Sequence, residues 1–184
     1  MRVVKLGGSL AAAPELPRWL HRLGAGGQVI VPGGGPFADQ VRVAQRQWAF
    51  DDRAAHRMAI LAMEQMGWMY AGLEPRLETA RSAAGIMAAL GRGCSCVWLP
   101  AHMLMDDATV EASWRVTSDS LAAWLATRID ADSLMLVKQV SPPTMPLTLR
   151  DWQARGVIDE AFHAFAEGAR WTWSVRAHDD LIPP

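Results

Sequence analysis

Lys5-Leu6-Gly7-Gly8-Ser9 and Val31-Pro32-Gly33-Gly34-Gly35-Pro36 are two glycine runs, each closing a short apolar stretch. Arg2–Leu6 and Gln28–Val31 read as buried strands. Between them, Pro14–Leu23 reads as a helix with Trp19, Leu20 and Leu23 on one face, broken by Gly24–Gly27. Phe37–Gln47 reads as a second helix. Asp51 or Asp52 is placed to cap a third that runs to about Ala71. Strand, helix, strand, helix in this order predicts a mainly parallel sheet with helices on both faces. Right-handed crossovers would bring both glycine loops to one edge of it, where α/β sheets bind ligands.

The loops have a chemical reading of their own. Lys5 ends its strand and projects a positive charge from the sheet edge. Gly7 and Gly8 remove side chains, so an oxyanion can approach backbone N–H groups, and the helix that follows adds its dipole. A tight turn with a solvated lysine is the structural alternative. Gly33-Gly34-Gly35 is a larger excess, because one glycine suffices for a turn and three cost chain entropy. Neither loop is a P-loop, which ends in Gly-Lys-Ser/Thr, and neither is a spaced dinucleotide fingerprint.

Farther along, Leu77–Leu90 reads as one element, strand or helix, interrupted at Gly85. Ser95–Leu99 reads as a strand, and Ser118–Arg128 as a helix with Leu121, Ala122, Trp124 and Leu125 on one side. Ser133–Val137 is a buried strand ending at Lys138. Ser141–Pro146 is a proline-rich loop, Asp159–Ala166 a short helix, Trp171–Val175 a closing strand and His178–Pro184 a frayed tail. Two of these segments carry polar groups of interest. Thr117-Ser118-Asp119-Ser120 reads on spacing alone either as a helix cap or as the lining of a substrate or phosphate pocket. Lys138 reads either as a snorkelling surface lysine or as a second strand-end cation. If its strand neighbours the first, Lys5 and Lys138 converge with Asp119 between them, an arrangement suited to a transferring phosphoryl group.

Bulk composition narrows the partners. The 184 residues carry a formal net charge of −1, so no global field recruits nucleic acid or an anionic membrane. No apolar run reaches membrane length, and the start lacks a signal-peptide pattern. Cys94 and Cys96 are too close to staple much chain and have no zinc-spaced partners, which predicts reduced thiols, no metal site and a cytoplasmic setting. One domain over residues 1–184 is expected. The Met-rich helix beginning at Asp52 is the expected contact of a homodimer.

Taken in order, Lys5–Ser9, Val31–Gly35, Thr117–Ser120 and Lys138 resemble the amino acid kinase superfamily, which includes acetylglutamate, aspartate, carbamate and uridylate kinases. The resemblance covers roughly residues 1–140. It implies a three-layer α/β/α sandwich and ATP-dependent phosphotransfer with Mg²⁺ to a small molecule. Lys5 and Lys138 would match the phosphate-stabilising lysines and Asp119 the aspartate that orients them. Gly7, Gly8, Gly33 and Gly34 would match the glycines that hold the nucleotide phosphates and the acceptor, with Ser9 in the same phosphate-binding set. Gly35, Thr117 and Ser118 would face the acceptor.

The runs Asp52…His56–Met63, Ser113–Ala126 and Gly156-Val157-Ile158-Asp159 look like a branch that makes methanofuran. Its kinase phosphorylates a phosphate already on an aminomethylfuran. His56 then reads either as a packed helix residue or as a substrate contact. Two departures stand out. About 46 residues follow Lys138, fewer than is usual, and Gln139-Val140-Ser141-Pro142-Pro143 replaces the acidic-glycine continuation. The shortened C-terminal part motivates the alternative of a non-catalytic module binding an anionic metabolite. A carboxylate or carbamate kinase, with Arg115 as cationic clamp, is the third reading.

Overall fold

In the computed structural model, which describes residues 1–141 and 145–180, six strands form one parallel sheet. They are β1 (Arg2–Leu6), β2 (Gln28–Pro32), β3 (Glu78–Ala80), β4 (Cys96–Trp98), β5 (Ser133–Lys138) and β6 (Thr172–Ala177), in the order β3-β4-β2-β1-β5-β6. The helices are α1 (Leu16–Leu23), α2 (Gly35–Trp48), α3 (Asp52–Leu73), α4 (Ala83–Gly91), α5 (Ala101–Leu104), α6 (Ser118–Arg128), α7 (Leu149–Ala154) and α8 (Phe162–Ala166). Residues 142–144 of the expected proline-rich loop and 181–184 of the expected tail lie outside the described residues.

Covering both faces explains why the strands read as unbroken apolar runs. Their side chains divide with period two. Val3, Val29, Val31, Cys96, Trp98, Leu134 and Leu136 pack with α4, α6 and α8. Val4, Leu6, Ile30, Val97, Met135 and Val137 pack with α1. The result is the expected three-layer α/β/α sandwich. Helix α3 serves both layers, giving Ile60 and Met63 to the first and Met66 and Tyr70 to the second. Its Met58, Leu61 and Trp68 stay exposed. No described helix is long and apolar enough to cross a membrane. Cys96 is a buried free thiol that burial pushes up to about 12, and Cys94 is half-buried.

Two sequence expectations change. Leu77–Leu90 is not one element. Ser82 caps α4 by accepting from the Gly85 N–H at 3.1 Å, so the segment divides at residues 81–82 into β3 and α4. Gly85 sits in the first turn of α4 rather than interrupting it. Helix α6 is not one-sided either: every residue from Asp119 to Ala126 is buried. Its alanines let it sink into the layer instead of lying across it.

The strand ends set up the site. The β1–β5 register pairs Lys5 with Leu136, and Lys138 lies two residues on, so both lysines share one face. That face carries α6. On the other side of β1, the loops after β1 and β2 touch. The Gly33 N–H donates to the Leu6 carbonyl at 2.9 Å. A Cβ at Gly33 would lie 2.4 Å from the Gly8 nitrogen, and one at Gly8 would lie 2.6 Å from the Gly35 nitrogen. Gly33→Ala is therefore expected to lower stability by roughly 1–3 kcal/mol through forced backbone separation. Gly72→Ala, with open space around it, should be neutral or stabilising. Thermal melts check the pair; equal melts for both variants would contradict the close packing.

Candidate active site

Asp119 sits in the first turn of α6, 2% exposed, with a lysine on each carboxylate oxygen. Lys138 Nζ donates to Oδ2 at 2.5 Å. Lys5 Nζ lies 2.7 Å from Oδ1 as an ion pair off the hydrogen-bond axis. A lone carboxylate at this depth would be very costly. Burial alone would raise its pKa, but Lys5 and Lys138 outweigh that and hold it below the usual carboxylate range. Burial, then the Lys5 charge, lowers the Lys138 ammonium to about 8 against the opposing pull of Asp119. The triad carries one net positive charge, so it is ready for an anion.

Two cavities flank the triad. One of about 240 Å³ has Lys5, Gly8, Gly34 and Gly35 at one end. Its walls include Ile60, Met63 and Leu121, with Asp39, Arg42, Asp52, His56 and Trp114. The other, about 540 Å³ and more open, runs past Lys138, Asp119 and Gly156–Glu160. Asp52, Ser113, Trp114 and Thr117 line both. Each lysine thus faces its own cavity, and Asp119 links them.

Beside Lys5, α2 starts without a side-chain cap, and since Pro36 has no N–H, the Gly35 and Phe37 N–H groups are the ones its first turn leaves available to an anion. Gly35 takes φ +52°, where Met66 sulfur would lie 2.9 Å from an added Cβ. Gly7, Ser9 and Gly33, the other residues expected at the phosphates, line neither cavity. The Gly7 N–H is spent on the Val137 carbonyl at 3.0 Å and the Gly33 N–H on Leu6, so both glycines serve sheet continuation and loop packing.

His56 lines the smaller cavity, half-buried, and burial lowers its pKa, leaving a neutral imidazole at pH 7. Thr117 and Ser118 also line it. The Thr117 hydroxyl is already engaged, donating to Asp159 at 2.7 Å. Arg115 pairs with Glu160 at 3.2 Å beside the larger cavity, where it offers no free clamp to a carboxylate in the smaller one.

Sequence reasoning gave no weight to Arg42. Its guanidinium lies 3.7 Å over the Trp114 ring, and Trp114 Nε1 donates to Gln45 Oε1 at 2.6 Å. The contact joins residues 72 positions apart, so no local pattern signals it. Among the described residues, no group of three or more His, Cys, Asp or Glu side chains is arranged to hold a metal by itself.

Known proteins share this fold. The fold aligns with uridylate kinase from Archaeoglobus fulgidus at a TM-score of 0.69 and 17% identity, covering 96% of this chain and 91% of that one. UMP kinases from Bacillus anthracis and Ureaplasma parvum align at 0.68 with 16% and 14% identity, covering 97% of this chain and 87% and 90% of theirs. A curated relative, (5-(aminomethyl)furan-3-yl)methyl phosphate kinase from Methanocaldococcus jannaschii, is 28% identical over 144 residues, or 76% of this chain. The chain spans 66% of that relative's length. The signature described as the amino acid kinase family matches residues 1–142. By that match, over most of its length, the chain belongs to the amino acid kinase family.

Proposed function

We propose that this kinase transfers the γ-phosphoryl group of ATP to a phosphate already carried by a small aminomethylfuran-type acceptor, forming a diphosphate. The observation that carries the reading is the division of the two lysines between two cavities, with Asp119 holding both. The acceptor phosphate is assigned to Lys5 and the N–H groups around Gly8, Gly34 and Gly35. The nucleotide is assigned to the larger cavity, with Lys138 at its phosphates. An acceptor oxygen attacks the γ-phosphorus in line, the bond to the β-phosphate oxygen breaks, and ADP leaves.

This chemistry suits the residues present. A phosphate monoester is already ionised at pH 7, so its oxygen needs no general base. Asp119, locked between two ammonium groups, is poorly placed to act as one. What the reaction asks for is alignment and neutralisation of spreading charge, and two lysines and a backbone cradle provide them. Mg²⁺ would arrive with the nucleotide, held mainly by phosphate oxygens and water. The smaller cavity fits a short ring better than a long chain, with the Arg42-backed Trp114, Ile60 and Met63 as its walls and His56 as a neutral polar contact. The relative named for an aminomethylfuran phosphate supports the acceptor class. A complete lysine–aspartate triad favours turnover over a purely sensing module.

A panel of acceptors offered with MgATP tests the reading by phosphorus NMR. Aminomethylfuran phosphate should give a diphosphate ester, with UMP and N-acetylglutamate converted far more slowly. Faster conversion of either would overturn the acceptor assignment. The pH profile is a separate test. Lys138 must be protonated to bind phosphate, and in the free protein it loses its proton near pH 8. The value of kcat/KM for ATP should therefore fall as pH rises through about 8, since this parameter reports the free enzyme. A flat profile from pH 7 to 9 would contradict that role.

A further inference from the structure

We propose that Asp159 is a positioning residue for the phosphoryl-transfer centre: it holds the first turn of α6, and through it Asp119, in register with Lys5 and Lys138. The first turn of α6 has no cap of its own, because Thr117 at the N-cap accepts nothing with its side chain. The acceptor comes from about forty residues downstream instead. Asp159 Oδ2 accepts from the Thr117 N–H at 3.0 Å, the Thr117 hydroxyl at 2.7 Å and the Ser120 N–H at 3.0 Å. Its Oδ1 accepts from the Ser120 hydroxyl. One carboxylate thus grips the residues on both sides of Asp119.

Core packing of α6 places the Asp119 backbone, and the grip matters for the first turn that aims its side chain. Among the described residues, its carboxylate contacts only the two lysines, which are themselves the groups to be positioned. Its placement is therefore inherited from the backbone turn that Asp159 holds. Ser120 is fully buried and Ile158, next to Asp159, is 2% exposed, while Asp159 and Thr117 are half-buried on the wall of the larger cavity.

Asp159 is itself anchored. Gln153 Nε2 donates to the Asp159 carbonyl at 2.9 Å and to the Glu160 carbonyl at 3.1 Å, and the Ala161 N–H donates to the Arg115 carbonyl at 3.3 Å. The segment from Gln153 to Ala161 and the segment from Arg115 to Ser120 form one hydrogen-bonded unit. That unit walls the larger cavity and carries the aspartate of the triad. A simple helix cap would need only a local Ser or Thr. A distant carboxylate with four donors ties the geometry of the triad to the cavity wall beside Lys138.

The kinetic test rests on the phosphoryl-transfer reading; the binding test does not. In the full-length chain, Asp159→Asn should cut kcat about tenfold while KM for ATP stays within about threefold, as expected for lost alignment. Inorganic pyrophosphate can span Lys5 and Lys138, whereas ATP is held in the larger cavity beside Lys138, so the calorimetric affinity for pyrophosphate, measured without turnover, should weaken by about tenfold when the two lysines lose register. A folded variant whose melting temperature drops while kcat and pyrophosphate affinity hold would reduce Asp159 to a structural cap and overturn the proposal. Tighter pyrophosphate binding would overturn it too, because the carboxylate would then be occupying an anion site. Ser120→Ala removes one of the four contacts and should give a smaller loss in the same direction. Should Asp159→Asn fail to fold, unchanged affinity in Ser120→Ala counts against the proposal. If the wild type phosphorylates no acceptor, the functional reading fails and pyrophosphate affinity still decides the role of Asp159.

Discussion

A buried carboxylate held between two lysines is the interaction on which the rest of this site depends. Each partner would be expensive at such depth without the others. The two lysines hold Asp119 ionised, and Asp119 lets the two ammonium groups approach each other at adjacent strand ends. Parallel pairing of β1 with β5 is what makes this geometry available. The register puts Lys5 and Lys138 on the same face, and α6 sinks deep enough into that layer to present Asp119 between them. The three residues leave a net positive charge that an arriving phosphate can satisfy.

Everything else near the triad limits what reaches it. The contact between Gly8 and Gly33 brings two loops closer than any side chain would permit, so the uncapped start of α2 faces Lys5. Trp114, stacked with Arg42 and hydrogen-bonded to Gln45, lines both cavities. The segment after β5, instead of extending the sheet alone, returns to the head of α6 through Asp159. Alignment of charge thus arises from contacts between parts of the chain far apart in sequence.

That separation explains what the sequence disclosed and what it hid. The strand ends were legible because a lysine or a glycine run closing an apolar stretch is a local pattern with a local cause. Strands β1, β2 and β5 follow from it directly. The convergence of Lys5 on Lys138 was conditional on strand order, which no local pattern states. The fates of the individual glycines were also hidden. Gly7 and Gly8 look alike in sequence, yet one N–H is consumed by Val137 while the other glycine lines a cavity. Thr117 read as either a cap or a ligand contact, and the deciding partner, Asp159, lies 42 positions away. Arg42 carries no signal until Trp114 is placed over it.

The central claim is that Lys5, held by Asp119, neutralises the transferring phosphoryl group from the side of the smaller cavity. The turnover of Lys5→Ala in a protein whose melt shows it folded tests this most directly. Lys138 and Asp119 can remain paired in that variant, so the fold should survive. Losing one aligned charge at the transition state predicts a fall in kcat of about 10²–10³-fold. Turnover at the wild-type rate would contradict the account.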